Sequence, residues 1–325
     1  MRDLPPVIRI EPASSCNLRC RHCPTGVAEM ARGVMGPSTI DRVVEQVAAN
    51  TPPFRVAVLY HGGEPLLNPR FFELARRIKD LGIPFVKTVS NGMRLTPDVD
   101  EAFLAGGLDA VEFSLDGDSP ELNDAVRTRA DFHVVVENVR RLAQRVLQTD
   151  SPLRIEIATT QFQTLETIAN GATAPVPQHL AAAFEGLPVT FKPTWAVQWP
   201  SGDHDADRFD AHLVPRDDSP TTCGLLDETI TIRANGEVVP CCYDLTSMEV
   251  LGNIHTESLA EIWRGSAYES LRRRFAATDY PELCAGCAWV TGPRYLVPRQ
   301  EQLLPLVSVS GQHREAPLST VPDRA

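Results

Sequence analysis

Short apolar runs alternate with amphipathic segments along the first two-thirds of the chain. Six runs have the length and composition of buried strands: residues 7–11, 56–60, 85–89, 110–115, 154–159 and 189–195. Between them, apolar residues recur at helical spacing over residues 38–49, 69–81 and 131–147. Strands that alternate with helices predict parallel βαβ units. Six strands suit either a partial barrel or an open doubly wound sheet, and periodicity alone does not separate the two.

Polar, glycine-containing sequences follow four of these strands. SSCNLRCRHC comes after the first, HGGEP after the second, SNG after the third and DGDSP after the fourth. In barrels and open α/β sheets, binding sites form at the carboxyl ends of the strands. The four segments are therefore expected to meet on one rim of the sheet.

The pattern changes near residues 196–222, which are acidic, polar and proline-containing and therefore predict a linker. Beyond them, ETITIRANGEVVPCCYD predicts a hairpin with a type I′ turn at Asn235-Gly236. Residues 258–275 predict one helix with Ser258 as its N-cap. The predicted organisation is a domain over residues 1–200, a linker over 201–222, a second domain over 223–300 and a tail over 301–325 that lacks periodicity.

Composition narrows the class of protein. The chain has 325 residues, 43 % of them hydrophobic, which is enough for one large domain and a small one. Its formal net charge of −11 argues against a nucleic-acid partner and favours a neutral or cationic one, although solubility alone would account for it equally well. The sequence shows no signal-peptide pattern and no apolar run long enough to cross a membrane, so we expect a cytoplasmic protein without a membrane partner. Thiols stay reduced in the cytoplasm, so the eight cysteines indicate metal or redox chemistry more than disulfides.

Three of these cysteines, Cys16, Cys20 and Cys23, stand in the first polar segment. A [4Fe–4S] cube normally takes four thiolates, so three would leave one iron open to a small molecule. Zinc is the competing metal, but structural zinc sites prefer four ligands. His22 could complete such a set, although its place beside Cys23 would strain it. The spacing favours an iron–sulfur cluster and leaves zinc and unmetallated thiols open.

The Cys-x3-Cys-x2-Cys spacing resembles the signature of the radical S-adenosylmethionine (SAM) superfamily. GGEP at 62–65, SNG at 90–92 and SLDG at 114–117 resemble further motifs of that family, and the resemblance covers about residues 7–195. His22 stands where the family usually has an aromatic residue. The resemblance implies a partial (β/α)6 TIM barrel within the α/β class.

Cofactors and site residues follow from this resemblance. It implies that Cys16, Cys20 and Cys23 ligate a [4Fe–4S] cluster whose fourth iron binds SAM. The implied SAM contacts are His22 at the adenine, Gly62, Gly63 and Glu64 at the ammonium, Ser90 and Asn91 at the ribose and carboxylate, Ser114 and Asp116 at the ribose or substrate, and Arg127 at the carboxylate, with Arg129 as the alternative. The implied chemistry is reductive cleavage of SAM to a 5′-deoxyadenosyl radical, which abstracts a hydrogen atom from an unactivated C–H bond. A flavodoxin- or ferredoxin-type protein is the implied reductant.

A second set of cysteines lies near the end of the chain. Cys223-x12-Gly236-x4-Cys241, followed by Cys284-x2-Cys287, resembles the SPASM/twitch auxiliary-cluster extension of one branch of the family. The resemblance implies an α+β domain in which Cys223, Cys241, Cys284 and Cys287 ligate an auxiliary [4Fe–4S] cluster. Cys242 competes with Cys241, because alternate strand residues face opposite sides, and zinc is the alternative metal. Five cysteines beyond the first motif allow one auxiliary cluster, the twitch form, which would accept an electron rather than bind substrate.

The resemblance leaves several reactions open. The first is oxidation of an H–C–OH carbon to a ketone in a small polar molecule, as in the aminocyclitol and aminoglycoside dehydrogenases of antibiotic biosynthesis. The acidic charge, with Asp203, Asp205 and Asp207, would suit a cationic substrate. Peptide modification, redox-neutral epimerisation or deoxygenation, and a non-enzymatic iron–sulfur electron carrier are the alternatives. The predicted bases are Tyr243, Asp244 and Lys192, with Arg294 and His61 as further candidates.

Overall fold

The computed structural model describes residues 3–50 and 53–299, and the predicted tail over residues 301–325 lies outside them. The strands in this part of the chain are β1 (Val7–Ile10), β2 (Arg19–Cys20), β3 (Val56–Val58), β4 (Phe85–Ser90), β5 (Ala110–Ser114), β6 (Arg127–Thr128), β7 (Arg154–Gln161), β8 (Val189–Trp195), β9 (Phe209–Leu213), β10 (Thr229–Ile232), β11 (Glu237–Val239), β12 (Gly252–Asn253) and β13 (Arg294–Pro298).

The α-helices are α1 (Pro24–Val27), α2 (Pro37–Ala48), α3 (Phe71–Asp80), α4 (Pro97–Leu104), α5 (Pro120–Val126), α6 (Phe132–Thr149), α7 (Leu165–Ala169), α8 (Gln178–Ala183), α9 (Gly224–Glu228), α10 (Leu259–Arg264), α11 (Ser266–Ala276), α12 (Glu282–Ala285) and α13 (Ala288–Thr291). A short 3-10 helix spans Pro65–Leu67. No helix of the described residues is both long and apolar enough to cross a membrane.

One continuous sheet organises the protein, in the strand order β12-β11-β10-β1-β3-β4-β5-β7-β8. The six predicted strands, β1, β3, β4, β5, β7 and β8, pair in parallel, and at least one helix follows each of the first five before the next. The predicted partial (β/α)6 barrel is therefore confirmed. Alternate residues of each strand fix its two faces, since successive side chains point to opposite sides. Val111 and Phe113 of β5, for example, belong to the main hydrophobic core, whereas Ser114 lines a cavity on the other side.

The C-terminal region, residues 223–299, extends this sheet. Strand β10 pairs in parallel with β1, with Val7 opposite Thr229 and Ile10 opposite Ile232. The hairpin then adds β11 and β12 in antiparallel order. The ends of β1 and β10 therefore lie side by side, which brings the second cysteine set close to the first.

Two local predictions for this region were wrong. The hairpin turn is a three-residue loop that is closed by a backbone hydrogen bond from the Arg233 amide to the Glu237 carbonyl. Within this loop, only Gly236 has a positive φ, of 85°. A type I′ turn would need Asn235 in the left-handed region as well, so this is the longer loop with one left-handed glycine. The single helix predicted over 258–275 is interrupted at Gly265, whose extended backbone separates α10 from α11. The predicted N-cap is present, because the Ser258 side chain accepts a bond from the Glu261 amide.

The segment predicted as a linker contains strand β9, which pairs antiparallel with β13. Of the β9 residues only Phe209 is buried, and the other four are exposed. A strand with one buried residue leaves no alternating pattern in the sequence, which explains why periodicity does not reveal it.

Candidate active site

A cavity of about 260 Å³ opens at the carboxyl ends of the barrel strands. The loops after β1, β3, β4 and β5 meet there, as their order in the sequence predicts. The lining includes every residue predicted to bind the first cluster or SAM: Cys16, Cys20, His22, Cys23, Gly62, Gly63, Glu64, Ser90, Asn91, Ser114, Asp116 and Arg127. The alternative arginine, Arg129, is exposed and does not line the cavity.

The three thiols of the cysteine loop, residues 13–35, face this cavity without forming disulfides. The Cys16 sulfur accepts a bond from the Leu18 amide at 3.4 Å. Burial raises the pKa of all three thiols, that of Cys20 to about 12, while the nearby Arg127 charge acts in the opposite direction. A bound metal centre would reverse this preference, since metal coordination deprotonates a thiol. Among the described residues, no three His, Cys, Asp or Glu side chains converge on the position of a single metal ion.

The GGEP loop, residues 61–65, packs directly on the cysteine loop. A Cβ atom on Gly63 would lie 2.3 Å from the carbonyl oxygens of Ala13 and Ser15, so only glycine fits. The Glu64 amide donates to the Ser15 carbonyl at 2.8 Å, and the Thr25 hydroxyl donates to the Gly62 carbonyl. The close packing that these contacts require accounts for the glycine at this position.

Glu64 joins the second and third rim segments. Its side chain is 1 % exposed and accepts bonds from the Leu66 amide at 3.1 Å, the Ser90 hydroxyl at 2.9 Å and the Asn91 amide at 2.8 Å. Burial raises the pKa of Glu64, and these three bonds oppose the increase. The carboxylate thus fixes the loop while still lining the cavity.

Asp116 and Arg127 form a buried ion pair at 2.6 Å, and His22 Nε2 lies 3.4 Å from the same carboxylate oxygen. Burial alone would raise the pKa of Asp116, but Arg127 and His22 hold it well below its ordinary range. Phe162 packs edge-on against the His22 ring at 5.7 Å. His22 Nδ1 is buried and has no hydrogen-bond partner among the described residues. Asp116 and Arg127 are therefore both charged at pH 7, and the Nδ1 atom of His22 remains available for a ligand.

The rest of the cavity lining is uncharged. Five side-chain hydroxyls there have no hydrogen-bond partner within the described part of the chain: Tyr60, Ser114, Thr160, Thr194 and Tyr243. Trp195 and Trp199 add aromatic surface, and Trp199 packs edge-on against Tyr243 at 5.6 Å. This part of the cavity can therefore bond hydroxyl groups and cover C–H surface.

A second, apolar cavity lies beside the first. Four thiols line it, from Cys223, Cys241, Cys284 and Cys287, whereas Cys242 is absent from its lining. Burial raises the pKa of the Cys241, Cys284 and Cys287 thiols, that of Cys284 to about 12. Tyr243 lines both cavities, so one side chain forms part of the wall between them.

Of the three predicted bases, only Tyr243 reaches the main cavity. Asp244 is fully buried, and its carboxylate accepts bonds from the amides of Met248 at 2.8 Å and Glu249 at 2.9 Å, which makes it part of a turn. Burial raises the pKa of Tyr243 to about 12, so its phenol keeps its proton at neutral pH. Neither residue therefore has the environment of a general base.

Lys192, the third predicted base, lies on β8 outside the cavity lining and forms ion pairs with Glu112 and Glu156. Burial would lower the pKa of Lys192, but the two carboxylates raise it, so the amine stays protonated. Of the further candidates, His61 is buried against the Asp244 carbonyl, and Arg294 contributes to β13. The Asp205 carboxylate pairs with Arg21 at 2.5 Å rather than facing the cavity.

Sequence reasoning missed Glu11, which is fully buried at the end of β1 and contacts the GGEP loop. A carboxylate directly after a buried strand, next to the first polar segment, was a usable signal. Trp199 and Thr160 were also missed, because tryptophan and threonine in a polar stretch carry no distinctive spacing.

Comparison with known proteins agrees with this geometry. Residues 10–151 match the radical SAM superfamily, and residues 223–288 match SPASM, an iron–sulfur cluster-binding domain. The chain is 25 % identical over 318 residues to the mycofactocin maturase MftC of Mycobacterium tuberculosis. This alignment covers 88 % of this chain and 76 % of MftC.

Two solved structures share the fold. BtrN in complex with AdoMet and 2-DOIA aligns with a TM-score of 0.57 and 18 % identity over 87 % of this chain and 93 % of that one. SuiB of Streptococcus suis bound to the precursor peptide SuiA aligns with a TM-score of 0.61 and 15 % identity over 83 % of this chain and 67 % of that one.

The two matched domains imply SAM with a [4Fe–4S] cluster in the first and an auxiliary iron–sulfur cluster in the second. The donor sets fit: three thiols share one cavity with polar groups, and four thiols share an apolar one. Soft thiolates are the ligands that such clusters take. The protein therefore contains a radical SAM domain over residues 10–151 and a SPASM iron–sulfur cluster-binding domain over residues 223–288.

Proposed function

We propose that this enzyme oxidises an H–C–OH carbon of a small, neutral, polyhydroxylated molecule to a ketone. Cys16, Cys20 and Cys23 hold the cluster that binds SAM, and the polar rim residues around them hold SAM itself. When bound, and with one electron from a flavodoxin- or ferredoxin-type reductant, these groups would supply a 5′-deoxyadenosyl radical to remove one hydrogen atom, and the auxiliary cluster would accept one electron from the substrate. The hydroxyl proton leaves to water, so the substrate loses two hydrogens in all.

Four thiols line the second cavity, and we assign them to one auxiliary cluster of the twitch type, with Cys241 rather than Cys242 as the ligand. The observation that carries the oxidation is the position of Tyr243, which lines both cavities. Only a thin wall thus separates a substrate in the main cavity from the electron acceptor. A redox-neutral reaction would have no use for this proximity.

The neutral substrate class follows from the charges around the cavity. Its two carboxylates, Glu64 and Asp116, are among the residues assigned to SAM, and each already has protein partners, Glu64 through three hydrogen bonds and Asp116 through Arg127, so neither is left for a cationic substrate. An ammonium group would therefore lose its water shell without gaining a free carboxylate, which is costly in a buried site. The unpartnered hydroxyls and the tryptophan surface instead match a ring that carries hydroxyl groups and C–H faces. This revises the expectation of a cationic substrate.

Tyr243 is placed to orient the substrate hydroxyl rather than to take its proton. Its raised pKa of about 12 keeps the phenol neutral, and a neutral phenol both donates and accepts hydrogen bonds. Arg127 and Asp116 form a charged pair in the lining of the same cavity, and both signs of charge would suit the zwitterionic end of SAM.

Oxidative modification of a peptide is the second candidate. MftC, a maturase, covers 88 % of this chain, and the structurally similar SuiB binds a precursor peptide. Trp195 and Trp199 would also cover an aromatic side chain. The same wall at Tyr243 would serve such an oxidation.

The test is anaerobic turnover of the cluster-loaded enzyme with dithionite and SAM. We would offer three substrate sets: neutral cyclitols and sugars, their amino-substituted counterparts, and short peptides with aromatic residues. We expect 5′-deoxyadenosine together with a product two daltons lighter from the neutral set only. A two-dalton loss from peptides alone would establish the second candidate and overturn the first.

Two variants serve as matched controls for this test. Cys20→Ala should abolish formation of 5′-deoxyadenosine. Cys284→Ala should retain SAM cleavage but yield no ketone, because the electron acceptor is lost. A Cys284→Ala enzyme that still makes ketone would contradict the proposed electron path.

A further inference from the structure

The Glu11 carboxylate joins three parts of the molecule. It is fully buried at the end of β1 and accepts bonds from the Gly62 amide at 3.1 Å, the Arg233 Nε at 3.1 Å and the Ala234 amide at 3.0 Å. Gly62 belongs to the GGEP loop, whereas Arg233 and Ala234 begin the hairpin loop of the C-terminal region. A single side chain therefore connects the two regions at the rim of the main cavity.

Arg233 is anchored from its own side as well. The residue is 5 % exposed, its Nη1 donates to the Ser247 hydroxyl at 2.6 Å, and that hydroxyl donates to the Glu237 carboxylate at 3.0 Å. Charge-assisted hydrogen bonds of this kind are stronger and more directional than neutral ones. The hairpin thus fixes Arg233, Arg233 fixes Glu11, and Glu11 fixes the Gly62 amide.

A second bond from the C-terminal region reaches the same loop. His61 Nε2 donates to the Asp244 carbonyl at 3.0 Å, and the Asp244 amide donates to the Cys241 carbonyl at 3.3 Å. The next part of the loop is held by the cysteine loop, through Glu64 and Ser15. The GGEP loop therefore lies between the two regions and depends on both.

We propose that Glu11 and Arg233 are positioning residues through which the C-terminal region holds the GGEP loop in the conformation that binds SAM. The inference rests on the placement of SAM at residues 62–64 given above. It adds a role for the SPASM region beyond carrying a cluster. Without Arg233, the Glu11 carboxylate loses the partner that fixes its position, so the Gly62 amide no longer has a fixed acceptor. The loop then samples other conformations, and SAM binds more weakly.

The test compares Arg233→Met with Arg42→Met. Arg42 Nε also spans the junction, donating to the Ile254 carbonyl at 2.7 Å, but it does not touch the GGEP loop. We expect Arg233→Met to raise the Kd for SAM by about 10- to 100-fold, by analogy with the loss of affinity when a group that orients a metal ligand is removed. Arg42→Met should leave that Kd within about twofold of the parent enzyme. Arg233→Lys, which keeps the charge, should recover part of the affinity.

Two further readouts separate positioning from general instability. Hydrogen exchange in the cluster-free protein should speed up at the Gly62 amide in Arg233→Met and not in Arg42→Met. The iron content at the first cysteine set should stay constant, while the change that SAM causes in the spectrum of the reduced cluster should need more SAM. If Arg233→Met folds poorly, the double variant Glu11→Gln/Arg233→Met removes the bridge without leaving a buried charge.

Equal Kd values and equal Gly62 exchange for the variants of Arg233 and Arg42 would overturn the inference. Faster exchange with an unchanged Kd would overturn it too, because the bridge would then have no effect on SAM. The variant Glu64→Gln shows whether a negative result comes from the proposed bridge or from the proposed placement of SAM. If Glu64→Gln also leaves the Kd unchanged, the placement of SAM is wrong and the failure lies in the proposed function.

Discussion

His61 makes the stability of this protein depend on pH in a way that can be calculated. Its side chain is 2 % exposed, its Nε2 donates to the Asp244 carbonyl, and its Nδ1 is buried without a partner among the described residues. A proton on Nδ1 would therefore have no acceptor. Burial lowers the pKa of His61 from 6.5 to about 4, Arg233 and Arg9 act in the same direction, and Glu11 opposes them.

Whether the protein loses or gains stability as the pH falls depends on which state, folded or unfolded, binds the His61 proton at the higher pH. The unfolded chain protonates His61 near pH 6.5, whereas the folded protein does so only near pH 4. The contribution to the free energy of unfolding is therefore complete above pH 6.5 and is lost as the pH falls towards 4. At about 1.4 kcal/mol per pH unit, the full loss is about 3 kcal/mol, of which about 2 kcal/mol falls between pH 7.5 and 5.

Urea unfolding of the cluster-free protein between pH 5 and 7.5 measures this effect. The matched variant is His61→Gln, since a glutamine amide can still donate to the Asp244 carbonyl but does not titrate. We expect the parent protein to lose about 2 kcal/mol more than the variant as the pH falls across this range. Parallel stability curves for the two proteins would refute the reasoning, because His61 would then titrate alike in both states.

Further substitutions probe the Asp116–Arg127 pair, the second cysteine set and the GGEP loop. Asp116→Asn leaves Arg127 buried without its partner and should lower the free energy of unfolding, measured with urea, by about 3–5 kcal/mol. Adding Arg127→Met should recover much of that loss, because no unpaired charge is then buried. Equal stability for the single and double variants would contradict this. Cys241→Ser should remove about half of the bound iron, as counted by chemical assay. Cys242→Ser should leave iron unchanged, and the reverse result would exchange the two assignments. Gly63→Ala should abolish SAM binding in a titration while retaining auxiliary iron, because its Cβ would meet two carbonyl oxygens at 2.3 Å.

The barrel and its rim were predictable because their signals are local. A parallel strand buried by helices reads as a short apolar run, and strand order alone places the following loops on one edge. The segments that contain Cys16, Gly62, Ser90 and Asp116 therefore line one cavity at the carboxyl ends of the strands, as the sequence predicts. The resemblance of the motifs to a known family then implied SAM and the iron–sulfur clusters, which the matched domains confirm.

The remaining features depend on contacts between distant residues. Lys192 was a plausible base in the sequence, but Glu112 and Glu156 lie 80 and 36 residues away and keep it protonated. The role of Asp205 was hidden in the same way, because Arg21, 184 residues away, pairs with its carboxylate. Asp244 differs, because its carboxylate is engaged within a local turn by the amides of Met248 and Glu249. Charge counted along a sequence does not show which charges are already paired.

The parallel pairing of β10 with β1 explains the contacts between the two regions, which the sequence alone does not predict. It places the end of β10 beside the end of β1, so Arg233 meets Glu11 within the same edge of the sheet. The residues that follow β11 then pass over the rim, which brings Cys241 to the second cavity and Tyr243 to the wall between the two. A C-terminal domain attached only by a linker could carry the same four cysteines, but nothing would fix their distance from the main cavity. In the proposed oxidation, this strand pairing would set the distance over which a substrate electron travels. The same pairing brings Arg233 to Glu11, and through Glu11 it connects the C-terminal region to the GGEP loop.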